Sequence, residues 1–252
     1  MSLLDKFRNF QKKRREKNLA KSASLVANPK VAREERVAAI EYLVAQKDPH
    51  EVVPALLGRF EFSLEHGIND TREKETVMNG IAAFGAVVGA IIEEHLRTTT
   101  RIAWPIKTLK KIAPPEQVRD ALVASLDFSD ISFDQQKVDK NYDVLCYLHE
   151  YQLPAAAITS LFAFLANLDE RVRFATVETL IEQRSHEVEI ARHLEPFLRD
   201  HSPENSRIHQ AVVEAFIKHK WQLNDRENFK VGPFDFGVIV NNNYQLEASP
   251  KF

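Results

Sequence analysis

The sequence predicts an all-α protein, a right-handed α-solenoid of about five helix pairs with a short C-terminal β-hairpin. Three observations carry that expectation. Apolar residues recur at helical spacing from the N-terminus to about Gln222. One helix–turn–helix unit returns along the chain: Arg36-Val-Ala-Ala-Ile-Glu-Tyr-Leu43 is echoed by Arg173-Phe-Ala-Thr-Val-Glu-Thr-Leu180. Glycine is scarce, 7 in 252 residues, and none lies between residues 90 and 231. Folds that cradle cofactors in glycine loops are therefore disfavoured, and prolines with Asp, Asn and Ser caps punctuate the helices instead.

The elements follow in order. Leu3, Leu4, Phe7 and Phe10 share one face of a first helix, with Ser2 as its N-cap. Asn28-Pro29 restarts the helix after a break. Val37, Ala38, Ile40, Leu43 and Val44 form an amphipathic stripe that stops at Lys47-Asp48-Pro49, and Val52, Val53, Leu56 and Leu57 begin the partner helix. Asp169 caps the later unit, and each of the two units has a proline in its second helix, Pro54 and Pro196. Pro154 opens a similar helix between them, and Gln210–Phe216 is a further echo. The expected pairs span 30–60, 71–97, 101–126, 136–167 and 169–199, with a closing helix at 203–219. No such unit buries its apolar face alone, so neighbours share one core and the ends need caps.

Two connections break the rhythm. Residues 58–70 form a long link with exposed-looking aromatics, and 127–135 form another; long ordered loops are disproportionately functional. From residue 222 the composition turns β-branched and aromatic. Phe229–Val231 and Phe236–Val240 read as extended, and Asn241-Asn-Asn243 is a turn before Tyr244–Glu247. The expected organisation is thus a basic amphipathic helix at 1–27, a repeat array at 28–221 and a C-terminal extension with a hairpin at 222–252.

At Glu34-Glu-Arg-Val-Ala-Ala-Ile-Glu-Tyr-Leu43, Asp48-Pro49 and Val52-Val-Pro-Ala-Leu-Leu57, the chain resembles HEAT-repeat proteins, including the bacterial PBS-lyase HEAT-like type. Asp169-Glu-Arg-Val-Arg-Phe-Ala-Thr-Val-Glu-Thr-Leu180 repeats the resemblance, which covers about residues 28–220. It implies a stacked-helix fold and no single function, because HEAT proteins serve many partners.

Formal net charge is −2, unevenly placed. Residues 1–21 hold eight basic side chains against Asp5 and Glu16, a net of +6, which leaves −8 on the remainder. A basic arm on an acidic body hints at an interaction segment. One Cys excludes a disulfide framework and suits a reducing compartment. No apolar run approaches the roughly 18 residues of a spanning helix, and charge begins at Asp5, so a secretory signal is not expected and the cytoplasm is.

Chemistry-bearing constellations are sparse. His186 and His193 lie seven apart rather than the four of a zinc-binding helix, and His149 has no histidine four residues on. His201, His209 and His219 fall eight and ten residues apart across a turn, so they read as solvated or packed, and no metal or cofactor is expected. Cys146 sits in an apolar helical stripe and reads as a buried, inert thiol. Acidic pairs such as Glu34/Glu35 read as caps, and Gly85-Ala-Val-Val-Gly89 as a tight inter-helix turn without the Lys-Ser/Thr of a phosphate loop. No catalytic residue is expected, and so no enzyme.

The candidate partner-binding residues are Trp104, Arg101, Lys107, Phe60 and Phe62, with Lys12, Lys13, Arg14 and Arg15 on the N-terminal arm. Pro105 must start or kink a helix, which holds Trp104 at a defined angle. Trp104 then fills core between repeats, the favoured reading, or anchors a partner. The arm has three readings: a cap or partner-binding arm, a peripheral contact with anionic membrane through residues 1–21, or a phosphate-binding arm. The leading functional expectation is a non-enzymatic scaffold or adaptor that binds a protein or peptide on the solenoid surface. The alternative is nucleic-acid binding, because some HEAT-like proteins resemble DNA glycosylases acting on alkylated bases. Against it stands the acidic body; for it stand Arg97, Arg101, Lys107, Lys110, Lys111 and Arg119. Bilin attachment is suggested only by the PBS-lyase name.

Overall fold

The computed structural model describes residues 3–129, 133–235 and 237–249, and the chain divides into two compact units, Met1–Ser125 and Leu126–Phe252. The division falls inside the stretch expected to be one array. The described residues are mostly helical, with one small three-stranded sheet near the C-terminus. Among them, no single helix is long and apolar enough to cross a membrane.

The first unit holds α1 (Leu3–Val26), α2 (Arg33–Val44), α3 (Pro49–Leu57), α4 (Gly67–Ala82), α5 (Gly89–Thr98), α6 (Ala103–Ile112) and α7 (Pro115–Ala124). Asn28-Pro29, expected to restart the helix, does not: α2 begins at Arg33, after Ala32, which makes no side-chain cap bond. Asp48 accepts the backbone N–H of His50 at 3.0 Å and Pro49 opens α3; Pro115 opens α7. Pro105 stands in the first turn of α6, where its missing N–H costs no helical bond. Helices α2, α4 and α6 touch in succession, and α3, α5 and α7 form a second row. Each pair thus contributes one helix to each row, and the core between them is Ile40, Leu43, Val53, Leu56, Val77, Ile81, Ile92 and Ile106. Gly80 lets α4 press on α2, since a Cβ there would sit 2.4 Å from Val44 Cγ2. Gly85 takes φ +71° in the turn between α4 and α5, as a tight connection there requires.

The arm differs from the expected cap. Phe7 and Phe10 are 59% and 65% exposed, and the packing is made further along α1 by Ser22 and Val26. Helix α1 contacts α2 and α3. Ser2 lies outside the described residues.

The second unit holds α8 (Gln135–Leu148), α9 (Ala155–Leu161), α10 (Glu170–Ile181), α11 (Glu187–Leu194) and α12 (Ser206–His219), then β1 (Gly232–Asp235), β2 (Val238–Val240) and β3 (Leu246–Ala248). Asp134 and Asp169 cap α8 and α10, accepting from the N–H groups of Lys137 and Arg171. Helix α10 packs between α8 and α12. Of the 127–135 connection, residues 130–132 lie outside the described ones.

The expected hairpin is present as β2 and β3, antiparallel with Val240 opposite Leu246. Asn241 closes its turn: its side-chain oxygen accepts from the N–H groups of Asn243 and Gln245. The sheet has a third strand that the sequence reading placed too early. Pairing begins at Gly232, with Gly232 opposite Val240, while Phe229 is instead buried as a plug. Phe236 lies outside the described residues. Glu195, buried at the end of α11, fixes the chain before the sheet. It accepts the backbone N–H groups of Asn224 and Asp225 at 3.0 and 2.8 Å.

Candidate functional site

The candidate site lies in the first unit, where residues 58–66 meet the start of α6. Its foundation is a buried ionic cluster. Arg36 on α2 grips Glu73 on α4 with two bonds, Nε to Oε2 at 2.8 Å and Nη2 to Oε1 at 3.1 Å. Arg59 donates to the same Glu73 Oε2 at 2.8 Å and to Asp70 Oδ1 at 2.7 Å, and Lys74 donates to Asp70 Oδ2 at 2.7 Å. Arg36, Arg59, Glu73 and Lys74 are 2%, 0%, 3% and 4% exposed. Three cations against two carboxylates leave a positive excess under the surface.

Burial pushes the Glu73 carboxyl up, but the Arg36 and Arg59 hydrogen bonds and charges outweigh it and hold the group below the usual carboxylate range. Asp70 behaves likewise, with Lys74 and Arg59 overcoming desolvation.

The cluster holds the 58–66 segment in place. Gly58–Glu61 is a single 3₁₀ turn continuing α3. Arg59 Nη1 donates to the Phe62 carbonyl at 3.3 Å and its guanidinium lies 4.4 Å from the Phe62 ring centroid. Leu64 N–H donates to Asp70 Oδ1 at 3.1 Å. Lys74 and Arg101 both reach Ser63 Oγ, at 3.4 and 3.3 Å.

Above this base the predicted residues converge. Trp104 stacks on Phe60, ring centroids 6.0 Å apart and planes at 17°. Lys107 Nζ stands 4.7 Å from the Trp104 centroid. Phe60 is 1% exposed, which corrects its reading as an exposed loop aromatic: the 3₁₀ turn swings it inward against Trp104. Trp104 and Phe62 are half-buried, whereas Arg101 and Lys107 are exposed. Trp104 therefore packs against the core with one side and meets solvent with the other.

A groove opens between α3 and α5, lined by Pro54, Leu57, Ala90, Ile91, Glu94, His95 and Thr98. His95 Nε2 lies 2.9 Å from Glu61 Oε1. Burial raises the Glu61 carboxyl, but hydrogen bonds from His95 and Thr99, with the charges of His95 and Arg101, hold it low. Glu61 thus links the groove to Arg101.

The arm residues sit on a separate element. Lys12, Lys13, Arg14 and Arg15 are all exposed on α1. Arg15 pairs with Glu51 on α3, and Lys12 lies 4.0 Å from Glu16.

Sequence reading missed the buried cluster. Its visible trace was the four-residue spacing of Asp70 and Lys74 and the arginine at the repeat position. It also misplaced Cys146, which is exposed on α8; the reactive-thiolate reading still gains nothing, because desolvation pushes the thiol up. His201 and His209, eight residues apart in sequence, lie with their ring centroids 4.8 Å apart.

No family model matches the chain, and neither a curated protein nor a solved structure matches it.

Proposed function

We propose that this chain is a cytoplasmic, non-enzymatic adaptor, a right-handed HEAT-like α-solenoid that binds an acidic peptide or protein segment on its first unit. The repeat reading is supported by two arginines at echoed positions. Arg36 donates to the Val31 carbonyl and to Glu73 in the following pair; Arg173 donates to the Asn167 and Leu168 carbonyls and to Asn205 before the following helix. The alternation of helices between two rows in the first unit supports it as well.

The observation that carries the binding proposal is Trp104 held between Phe60 and Lys107 with Arg101 beside it. A half-exposed indole offers rigid apolar area at little entropic cost, and aromatic and Arg side chains dominate interface hot spots. Two exposed cations, Arg101 and Lys107, match carboxylates of such a segment. The buried cluster fixes the 58–66 segment beforehand, so little ordering cost falls on binding.

Trp104 makes the test direct. The chain has two tryptophans, and the other, Trp221, is 5% exposed. Titration with a poly-glutamate peptide shifts Trp104 emission, and K107A and R101A each weaken the affinity about tenfold, a change of ~1.4 kcal/mol. Salt weakens binding as well. If poly-glutamate leaves the emission unchanged up to ~1 mM while short duplex DNA binds, the nucleic-acid alternative replaces this reading.

The arm supports a second reading through its own observation. Exposed Phe7 and Phe10 share a helix with exposed Lys12, Lys13 and Arg14, the make-up of a segment that lies on an anionic surface. Co-sedimentation with phosphatidylserine vesicles, lost in a K12E/K13E/R14E variant, is the expected result; equal sedimentation with neutral vesicles would remove the reading.

A further inference from the structure

The second unit brings together three side chains that are far apart in sequence. His201 stands in the turn after the 195–199 segment, His209 in the first turn of α12, and Asp235 at the end of β1. One donor atom from each lies within 4.8 Å of the other two. We infer that His201, His209 and Asp235 form a divalent transition-metal site, with Zn²⁺ the best-fitting ion.

The hydrogen bonds around His209 make the case. Its Nδ1 lies 3.1 Å from the Phe197 carbonyl oxygen. A carbonyl only accepts, so Nδ1 carries the proton and donates it. The opposite nitrogen, Nε2, faces Asp235 Oδ2 at 2.9 Å. A neutral ring with its proton on Nδ1 would point a lone pair at a carboxylate, which is repulsive. The two atoms are placed to share one cation, and a metal ion bound to both would lie beside the pair. An Nδ1–H fixed on a backbone carbonyl is the usual support of a metal-binding imidazole, because it sets the tautomer and aims the free nitrogen.

The third donor decides for a metal. The His209–Asp235 contact by itself does not engage His201. Yet the His201 ring is tilted 51° over the His209 ring with its donor inside the same cluster. Ligands bound at about 2.0–2.2 Å lie roughly 3–3.5 Å from one another. His209 and Asp235 are already near that spacing. The exposed His201 ring needs a swing of about 1–2 Å, a rotamer-scale adjustment.

The turn that carries His201 is stiff. Asp200 Oδ1 accepts the Ser202 N–H at 3.0 Å, and Asn205 Oδ1 accepts from Arg173 at 2.7 Å. Two imidazoles and one carboxylate suit Zn²⁺, Co²⁺ or Ni²⁺ rather than Mg²⁺ or Ca²⁺. Three protein donors leave a fourth position for water or a partner's side chain. The bound ion would tie the sheet to the start of α12. On binding, the Nδ1 proton stays on the His209 ring, donated to the Phe197 carbonyl, and Nε2 offers its lone pair to the ion.

The test uses the full, untagged chain, stripped with chelator and titrated with Co²⁺ near neutral pH. The expected result is one equivalent bound with visible d–d absorption, displaced by Zn²⁺, and a Tm that rises with Zn²⁺. H201A and D235N alter exposed side chains and preserve the fold; each weakens Co²⁺ binding at least ~10-fold and abolishes the Tm rise. H66A, on the first unit, leaves binding unchanged. Absence of stoichiometric Co²⁺ binding would overturn the site and leave the His209–Asp235 contact as a plain hydrogen bond. Binding insensitive to H201A and D235N would overturn it too.

Discussion

The two units use one arginine in two ways. In the first, Arg36 is 2% exposed and its guanidinium meets the carboxylate of Glu73. In the second, the echoed Arg173 is half-buried and meets the neutral amide oxygen of Asn205 at 2.7 and 3.2 Å. Both also donate to carbonyls of the preceding turn. Burial accounts for the choice. A charge removed from water needs a counter-charge, whereas a half-solvated one is satisfied by an amide and carbonyls. The first unit then adds Arg59, Lys74 and Asp70, building a charged floor beneath the 58–66 segment. The second unit keeps its arginine as a plain link between neighbouring segments.

The sharpest way to break that comparison is Glu73→Leu. It leaves Arg36 without its carboxylate and Arg59 with Asp70 alone, both deeply buried, and should cost about 3–5 kcal/mol in denaturant unfolding. A smaller loss would mean that the two arginines reach water or another acceptor. The same residue sets a pH signature. Its folded-state pKa is lowered, so its stabilisation is complete above the ordinary carboxylate range. That stabilisation is lost as pH falls through the lowered value. Acid unfolding followed for wild type and Glu73→Gln should give a shallower acid loss in the variant.

Gly80→Ala comes next. The new Cβ meets Val44 Cγ2 at 2.4 Å, and such overpacking costs typically 1–3 kcal/mol. Adding Val44→Ala should recover part of that loss, a coupling read from the double-mutant cycle. In the second unit, the α8–α10 contact uses a hydroxyl instead: Thr179 Oγ1 donates to the Leu145 carbonyl at 3.1 Å. Asn205→Ala removes the neutral acceptor of Arg173 and should cost about 1–2 kcal/mol, well under the Glu73 effect. If Asn205→Ala equalled Glu73→Leu, the contrast between ionic and neutral links would fail. Thr179→Val should have the smallest effect, about 1 kcal/mol, in chemical denaturation.

Legibility tracked distance along the chain. The capped helix starts at Asp48, Asp134 and Asp169 follow from side chains bonding N–H groups two or three residues on, so local sequence suffices to read them. The Asn241 turn and the β2–β3 hairpin are equally local. The third strand was read too early, at 229–231, because Gly232-Pro233 has weak strand propensity, and its pairing with β2 supplies the order instead. Phe60 was misread because a one-turn 3₁₀ continuation of α3 aims it at Trp104, more than forty residues away. Cys146 lies in an apolar stripe of α8 yet faces outward, since the stripe is wider than the face that packs.

The sequence by itself determined the helical class, the approximate positions of the helices and the C-terminal hairpin. Those follow from periodicity, capping and residue chemistry within a few positions. Only the tertiary structure decided that Arg36 would find Glu73 thirty-seven residues on, that Phe60 would slide under Trp104, and that His201, His209 and Asp235 would meet. Each of these depends on which side chains the packed helices bring into one low-dielectric or sterically closed place, and that is set by long-range burial, which no local pattern specifies.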